Sequence, residues 1–464
     1  MFLTSNKKYL IGFLVLLFIT ILFRLPIFFL SHYNNDELIH ISLAMKTDKY
    51  GLDVFKKQKY NLFYVDRGLV PKEHLIIIAE GDREVGSLLE GFLGERETLS
   101  HHPPALPFLL GISHRIFANK MFYLVSGSND IYLMLRNSAF QFFACFVNLL
   151  SSLLLILAVY FLGSLFFSHK VGLLSALFLS LTPTDLMTAN KIWADDMTAL
   201  FATLAVILYL YVLKKNRPAF SLLGGLSCGI SILTKMSGIY IIFVILLFHL
   251  LEHRKDKVNI RNLLIFFFDR NILYFLAGVF IASAWWFDLY YSNFSLQTAQ
   301  SYFRVNEIWE PAKNWSLFFN MVSNRPWYSY FILIPFQFPL YLLGFVFIPM
   351  FILSKRIKWF GKLIVEQYRY LKFLIIWVTV VFIFLTLKPG KELRYMLIAY
   401  PAISVLSVYC LNLIYEWMKN RNLGISLGLQ RLFFISVILL SLAFSLKIAL
   451  PSILIRADII PIPL

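Results

Sequence analysis

Two acidic pairs, one isolated lysine and one basic loop hold most of the chemistry this sequence can offer. Asp36 and Glu37 follow an apolar run by a few residues. At a bilayer edge, partial desolvation and a like-charged neighbour both make a carboxylate a better proton acceptor, the property a general base needs. A solvated loop pair would show the same two letters. Asp195 and Asp196 open another apolar run. The positive end of a helix dipole explains one acid there, but a pair at a membrane entrance is less ordinary. Lys235 stands between two apolar runs in Thr234-Lys235-Met236-Ser237-Gly238. A cation so placed is costly unless a phosphate or carboxylate pairs with it, although a plain loop lysine would look the same. Lys388-Pro389-Gly390-Lys391-Glu392-Leu393-Arg394-Tyr395 is strongly basic. Arg394 could hold a phosphate bidentately and Lys391 could act as a point charge, unless this is merely a surface loop. His101-His102-Pro103-Pro104 has the letters of a metal site. However, adjacent histidines in an X-Pro segment diverge and no third ligand is sensibly spaced, so a turn that positions the next segment is expected instead of zinc.

These groups must be positioned by membrane-spanning helices. The 464 residues are 59% hydrophobic and 15% charged, with a mean hydropathy of +0.71. A soluble domain averages about 25% charged and 45–50% apolar residues. A chain this apolar could not cover a soluble surface, so its excess must face lipid. Runs of about 20 apolar residues mark spans, here 9–30, 138–163, 171–188, 196–213, 219–234, 237–251, 271–291, 329–353, 372–387, 396–415 and 432–450. The expected fold is an all-α integral membrane protein of about eleven transmembrane helices. The polytopic domain covers 1–450, with extracytoplasmic loops at 31–137 and 292–328 and a short tail at 451–464. The run at 9–30 exceeds the ~7–15 residues of a signal core and lacks a small-residue cleavage site, so it reads as a retained span with Arg24 snorkelling to the far interface.

Orientation comes from the short loops. Lys7-Lys8, Lys214-Lys215-Asn216-Arg217, His253-Arg254-Lys255-Asp256-Lys257, Lys355-Arg356-Ile357-Lys358 and Lys419-Asn420-Arg421 all fall on one face. By the positive-inside rule that face is cytoplasmic. The two acidic pairs, Lys235 and the basic 388–395 loop then share the other side. Within the first loop, Ala105–Phe117 is too short to span and reads as an interfacial helix. Trp309, Trp315 and Trp327 of the second loop suit a membrane interface. The net charge of +17 sits mostly between spans, where it meets anionic headgroups rather than nucleic acid. Cys145, Cys228 and Cys410 all lie inside apolar stretches and read as packing residues. Neither a G-x-G-x-x-G turn nor a Walker lysine occurs, which argues against direct nucleotide-sugar use and against an ATP-driven pump.

In this order and on this side, the residues resemble the type C (GT-C) membrane glycosyltransferases. The likeness is to the branch holding protein O-mannosyltransferases and the lipid A aminoarabinose transferases. In that branch an acidic motif opens the first external loop, as Asn35-Asp36-Glu37 does here. A Pro-Pro stretch and an amphipathic segment follow, matched by His102-Pro103-Pro104-Ala105-Leu106. Then come an acid at the fourth span, a Thr-Lys-x-x-Gly element and a late Arg-Tyr before a proline-containing span. Asp196-Met197, Thr234 to Gly238, and Arg394-Tyr395 with Pro401 match these. The likeness covers about 9–405; the second external loop carries no motif of the family, and the chain ends after the eleventh span without the longer C-terminal region of some relatives.

The resemblance implies a polyprenyl-phosphate sugar donor, used outside the cytoplasm with inversion at the anomeric carbon. The acceptor would be a lipid, glycan or protein. It implies Asp36 as base, with Glu37 and Asp196 orienting acceptor, base or a cationic group. Lys235, Lys391 and Arg394 would meet the leaving phosphate, and Asp195, Tyr395 and His102 would complete the binding set. No cofactor is required by this reading, and a divalent cation stays open. The alternatives are a lipid-linked saccharide transporter or flippase, a polysaccharide polymerase, and a scaffold. A transporter should show mid-bilayer charges and inverted repeats. A polymerase usually has its large loop later in the chain. A scaffold would tolerate replacement of Asp36, Asp196 and Lys235.

Overall fold

The computed structural model describes residues 7–29, 103–117, 122–125, 133–136, 138–215, 217–253, 269–292, 328–355, 364–387, 392–420 and 426–456, together with isolated positions between 37 and 97 and Pro326. The order is α1 (Lys7–Leu22), a 3-10 turn (Leu25–Phe29), α2 (Ala105–Phe117), α3 (Ser138–Phe166), α4 (His169–Ser180), α5 (Pro183–Ala189), α6 (Asp195–Lys215) and α7 (Pro218–Thr234). A 3-10 turn (Met236–Ile239) leads to α8 (Tyr240–His253), then α9 (Arg270–Ser292), α10 (Ser329–Gln337), α11 (Tyr341–Ile352) and α12 (Tyr368–Leu387). A further 3-10 turn (Leu393–Ile398) precedes α13 (Tyr400–Asn420) and α14 (Leu427–Arg456).

A helix or helix pair occupies the place of each expected span. Among the described residues, five helices are long and apolar enough to cross a membrane, or six if α4 and α5 form one bent span. By that measure α7, α8 and α11 fall short. Large apolar side chains such as Phe18, Phe280, Leu432 and Leu440 stand exposed. In a protein of this composition they face lipid.

The fold is mostly helical, as expected; the first long loop adds two short strand pairs, β1 (Lys59–Tyr60) antiparallel with β2 (Arg96–Glu97), and β3 (Phe122–Val125) with β4 (Leu133–Arg136). One expectation needs correction. Arg24 does not snorkel. It is fully buried and ion-paired with Asp185, itself fully buried on α5. Its Nε donates to Ser152 Oγ at 2.7 Å, and its Nη1 donates to the Thr20 and Ser180 carbonyls, both at 3.2 Å. A guanidinium has five donors in a fixed fork, and here serine, aspartate and two carbonyls meet it. The pair ties α1 to α3 and to the elbow between α4 and α5.

That elbow bends the expected 171–188 span by 65°. Pro183 forces the residue before it out of helical geometry, and Thr182 adopts φ −68°, ψ 131°. The Phe178 carbonyl, which loses its helical donor, accepts from the Thr182 hydroxyl at 2.7 Å; that hydroxyl lies 2.7 Å from Tyr341, which reaches Ser404 at 2.9 Å. Pro339 breaks the 329–353 span in the same way, with Phe338 at φ −143°, ψ 96°.

Burial separates centre from rim. In the apolar stretch of α6, 72% of residues are buried, against 28% in α1 and in α14. α7 and α9 pack backbone to backbone: a Cβ on Gly225 would strike the Phe275 carbonyl, and one on Gly278 the Leu222 carbonyl. Such small-residue contact is how apolar helices associate where lipid removes the hydrophobic driving force.

Candidate active site at one end of the bundle

Three chain turns meet at the end of the bundle where α6 begins, α7 ends and α13 begins. α6 opens with Asp195 and Asp196 in its first turn and closes with Lys214 and Lys215 in its last. Both charge pairs suit the helix dipole, and together they set acids and basic loop about 30 Å apart along a 21-residue helix. α7 stops at Lys235, whose backbone is extended at φ −157°, ψ 137°. The chain then folds back on itself, and Gly238 makes this feasible because a Cβ there would lie 2.5 Å from the Ser231 carbonyl carbon. The third turn is the 3-10 segment bearing Arg394 and Tyr395.

The side chains interlock. Lys235 Nζ lies 2.6 Å from Asp195 Oδ1 and 4.7 Å above the Tyr395 ring. Tyr395 donates its hydroxyl to Glu392 Oε1 at 3.1 Å. Arg394 Nε lies 2.5 Å from Glu392 Oε2, while its guanidinium carbon sits 4.1 Å from the Trp193 ring centre. Lys191 Nζ lies 3.9 Å from the same ring centre. Two cations over one indole, each drawn to the ring quadrupole, form a positive shelf beside the acidic helix start.

Glu37 connects the first loop to this end. It is fully buried, and its Oε1 accepts a 2.7 Å hydrogen bond from the Ile192 backbone N–H. A residue 155 positions earlier in the chain therefore buttresses the short loop that delivers Trp193, Asp195 and Asp196. Asp196 is fully buried as well. Its Oδ1 meets Thr188 Oγ1 at 3.5 Å, and its Oδ2 has no hydrogen-bond partner among the described residues. A buried acceptor left open in this way is costly unless another group uses it.

Of the residues singled out in the sequence, Glu37, Asp195, Asp196, Lys235, Arg394 and Tyr395 thus gather at one end. Asp36, Lys391 and His102 lie outside the described residues, as do Trp309, Trp315 and Trp327. Sequence reasoning passed over Asp185, Trp193 and Glu392. Asp185 carried a usable signal, since a lone acid in an apolar segment asks for a partner. Trp193 and Glu392 carried none beyond adjacency. Among the described residues, no group of three or more His, Cys, Asp or Glu side chains is arranged to hold a metal.

Comparison with known proteins bears on this geometry. The profile of the family Dolichyl-phosphate-mannose-protein mannosyltransferase matches residues 92–298, a stretch that includes Asp195, Asp196 and Lys235. No curated protein matches the sequence. Among solved structures, ArnT from Cupriavidus metallidurans bound to undecaprenyl phosphate superposes with a TM-score of 0.50 at 15% identity, covering 97% of this chain and 73% of that one. The archaeal oligosaccharyltransferase AglB from Archaeoglobus fulgidus, in complex with an inhibitory peptide and a dolichol-phosphate, gives a TM-score of 0.57 at 15% identity. That match covers 97% of this chain and 56% of AglB, so the chain spans about half of AglB's length. At such identities the likeness is one of fold: this chain has the fold of the type C membrane glycosyltransferases, and its residues 92–298 resemble the mannosyltransferases among them.

Proposed function

We propose that the protein is a membrane glycosyltransferase that moves a sugar from a polyprenyl-phosphate donor to an acceptor hydroxyl or phosphate, on the extracytoplasmic side and with inversion. One observation carries the reading: Lys235, Arg394 and Tyr395 assemble beside Asp195, Asp196 and Glu37, at the end of α6 opposite Lys214 and Lys215. The solved neighbours were captured with undecaprenyl phosphate and with a dolichol-phosphate, both lipid phosphates, which supports the donor class.

In the proposed displacement Asp36, one peptide bond from Glu37, takes the proton of the acceptor hydroxyl as oxygen attacks the anomeric carbon from the face opposite the lipid phosphate. The sugar–phosphate bond breaks and the polyprenyl phosphate leaves. Fixed cations aimed at the departing phosphate act electrostatically, without reorganising at the moment of reaction. Arg394 and Lys235 fill that role, with Lys391 as a third cation. Glu392 holds Arg394 in place and Asp195 holds Lys235. Tyr395 covers the Lys235 ammonium, Glu37 and Asp196 fix the loop and the acceptor, and His102 is assigned to the substrate- and phosphate-binding set. The donor's isoprenoid tail lies between the apolar helices.

Mass spectrometry of envelope glycolipids and glycoproteins from a deletion strain tests the assignment. The expected result is loss of one sugar from one acceptor, restored by the wild-type gene and not by Asp36→Asn. An unchanged glycan profile in the deletion strain would remove the proposal.

A further inference from the structure

A second amphipathic site lies at the opposite end of the bundle. α4, α13 and α14 enclose a cavity of about 340 Å³. Its deeper wall is apolar, formed by Val171, Leu174, Val408, Leu411, Phe434 and Ile438. Its mouth is lined by Lys170, Asn412, Tyr415 and Arg431. Lys170 belongs to the first turn of α4 and Tyr415 to the late turns of α13. The site described above lies near the other ends of these helices. Fifteen residues of α13 separate Tyr400 from Tyr415, a rise of about 20 Å.

The mouth is organised around two cations. Lys170 Nζ donates to Asn412 Oδ1 at 3.0 Å and lies 4.7 Å above the Tyr415 ring centre. Arg431 Nε donates to the Tyr415 hydroxyl at 3.3 Å. Among the described residues neither cation is ion-paired with a carboxylate, and Glu416 lies 3.9 Å from Lys419 instead. One tyrosine thus holds two positive charges side by side above an apolar slot. The slot opens outward along α14, where Ile435 is 53% exposed within a row of exposed Leu429, Leu432, Phe433 and Leu439. Water-soluble anions would use the charges and leave the slot empty, while neutral lipids would fill the slot and leave the charges unmet.

We propose that this cavity binds an anionic phospholipid of the leaflet opposite the candidate active site. The headgroup phosphate lies between Lys170 and Arg431, and one acyl chain enters between α4, α13 and α14. The complementarity is of charge at the mouth and of hydrocarbon in the slot. It uses no residue of the proposed transfer reaction and does not depend on that assignment. A lipid there would also fasten α14, whose residues are mostly exposed, to the inner helices.

The test is native mass spectrometry of the full-length protein, titrated with phosphatidylglycerol and with phosphatidylcholine of the same acyl chains. Wild-type protein is expected to retain phosphatidylglycerol about thirtyfold better, the size of effect two interfacial cations supply. The double variant Lys170→Ala/Arg431→Ala should lose that preference while still taking up phosphatidylcholine. Ile438→Trp, which fills the slot and spares both charges, should weaken retention of both lipids. Equal retention of the two lipids by the wild type would overturn the proposal. So would an undiminished preference in the folded double variant, undiminished retention of both lipids by folded Ile438→Trp, or displacement of the lipid by millimolar inorganic phosphate.

Discussion

Removing the Lys235 ammonium does more than delete one cation. It leaves the Asp195 carboxylate, 5% exposed, facing the place proposed for the donor phosphate. We therefore expect Lys235→Met to lower transfer more than Arg394→Ala does. The double variant Lys235→Met/Asp195→Asn should recover part of the loss, a non-additivity that kinetics of all three proteins would measure. For Arg394→Ala alone, loss of one charge-assisted contact of about 1.5–3 kcal/mol predicts an apparent KM for the donor higher by about ten- to a hundredfold. An unchanged donor KM would exclude Arg394 from the phosphate site. Much of this site was legible as residue types, because charges at the ends of apolar runs are expensive and few. Partner choice was not. Lys235 was read as awaiting a phosphate or a carboxylate, and the structure supplies Asp195, 40 residues away. Arg24 illustrates the same gap: nothing local separates a snorkelling arginine from one whose partner, Asp185, lies 161 positions on.

At the scale of elements, two contacts carry the most leverage. The Arg24–Asp185 pair joins α1 to the α4–α5 elbow with both side chains fully buried. Breaking a buried pair on one side costs about 3–5 kcal/mol because a lone charge stays behind, whereas replacing both partners by apolar groups costs little. Arg24→Leu should therefore lower the melting temperature of the purified protein sharply, and Arg24→Leu/Asp185→Leu should restore most of it. Equal loss in both would mean that the pair is not the fastening. The α7–α9 crossing predicts that Gly225→Leu destabilises by about 1–3 kcal/mol through overpacking, whereas Leu223→Ala, at a position 48% exposed, should be nearly silent in the same melting assay. Hydropathy made the helices legible here, since each expected span has its counterpart. The bends were written in the sequence as well, in Pro183 and Pro339, but a window average across an apolar run hides the single residue that breaks it. The pairing of β3 with β4 inside the first loop was missed for a related reason. Four-residue strands fall below the length at which alternation can be told from chance.

For the molecule as a whole, the account rests on a separation of charge along the bundle. Acids and paired cations gather at one end, where α6 begins, and Lys214, Lys215 and Lys419 close α6 and α13 at the other. Glu37 reaching Ile192 brings that residue of the first loop to the second acidic cluster, as the proposed reaction centre requires. The most direct measurement is transfer of labelled sugar from a polyprenyl-phosphate hexose or pentose to membrane acceptors by purified protein in liposomes, comparing wild type with Asp36→Asn at matched incorporation and melting temperature. The account predicts turnover by the wild type and a loss of at least about a hundredfold in Asp36→Asn, the lower end of what general-base catalysis contributes. Wild-type rates in the Asp36→Asn protein would contradict it.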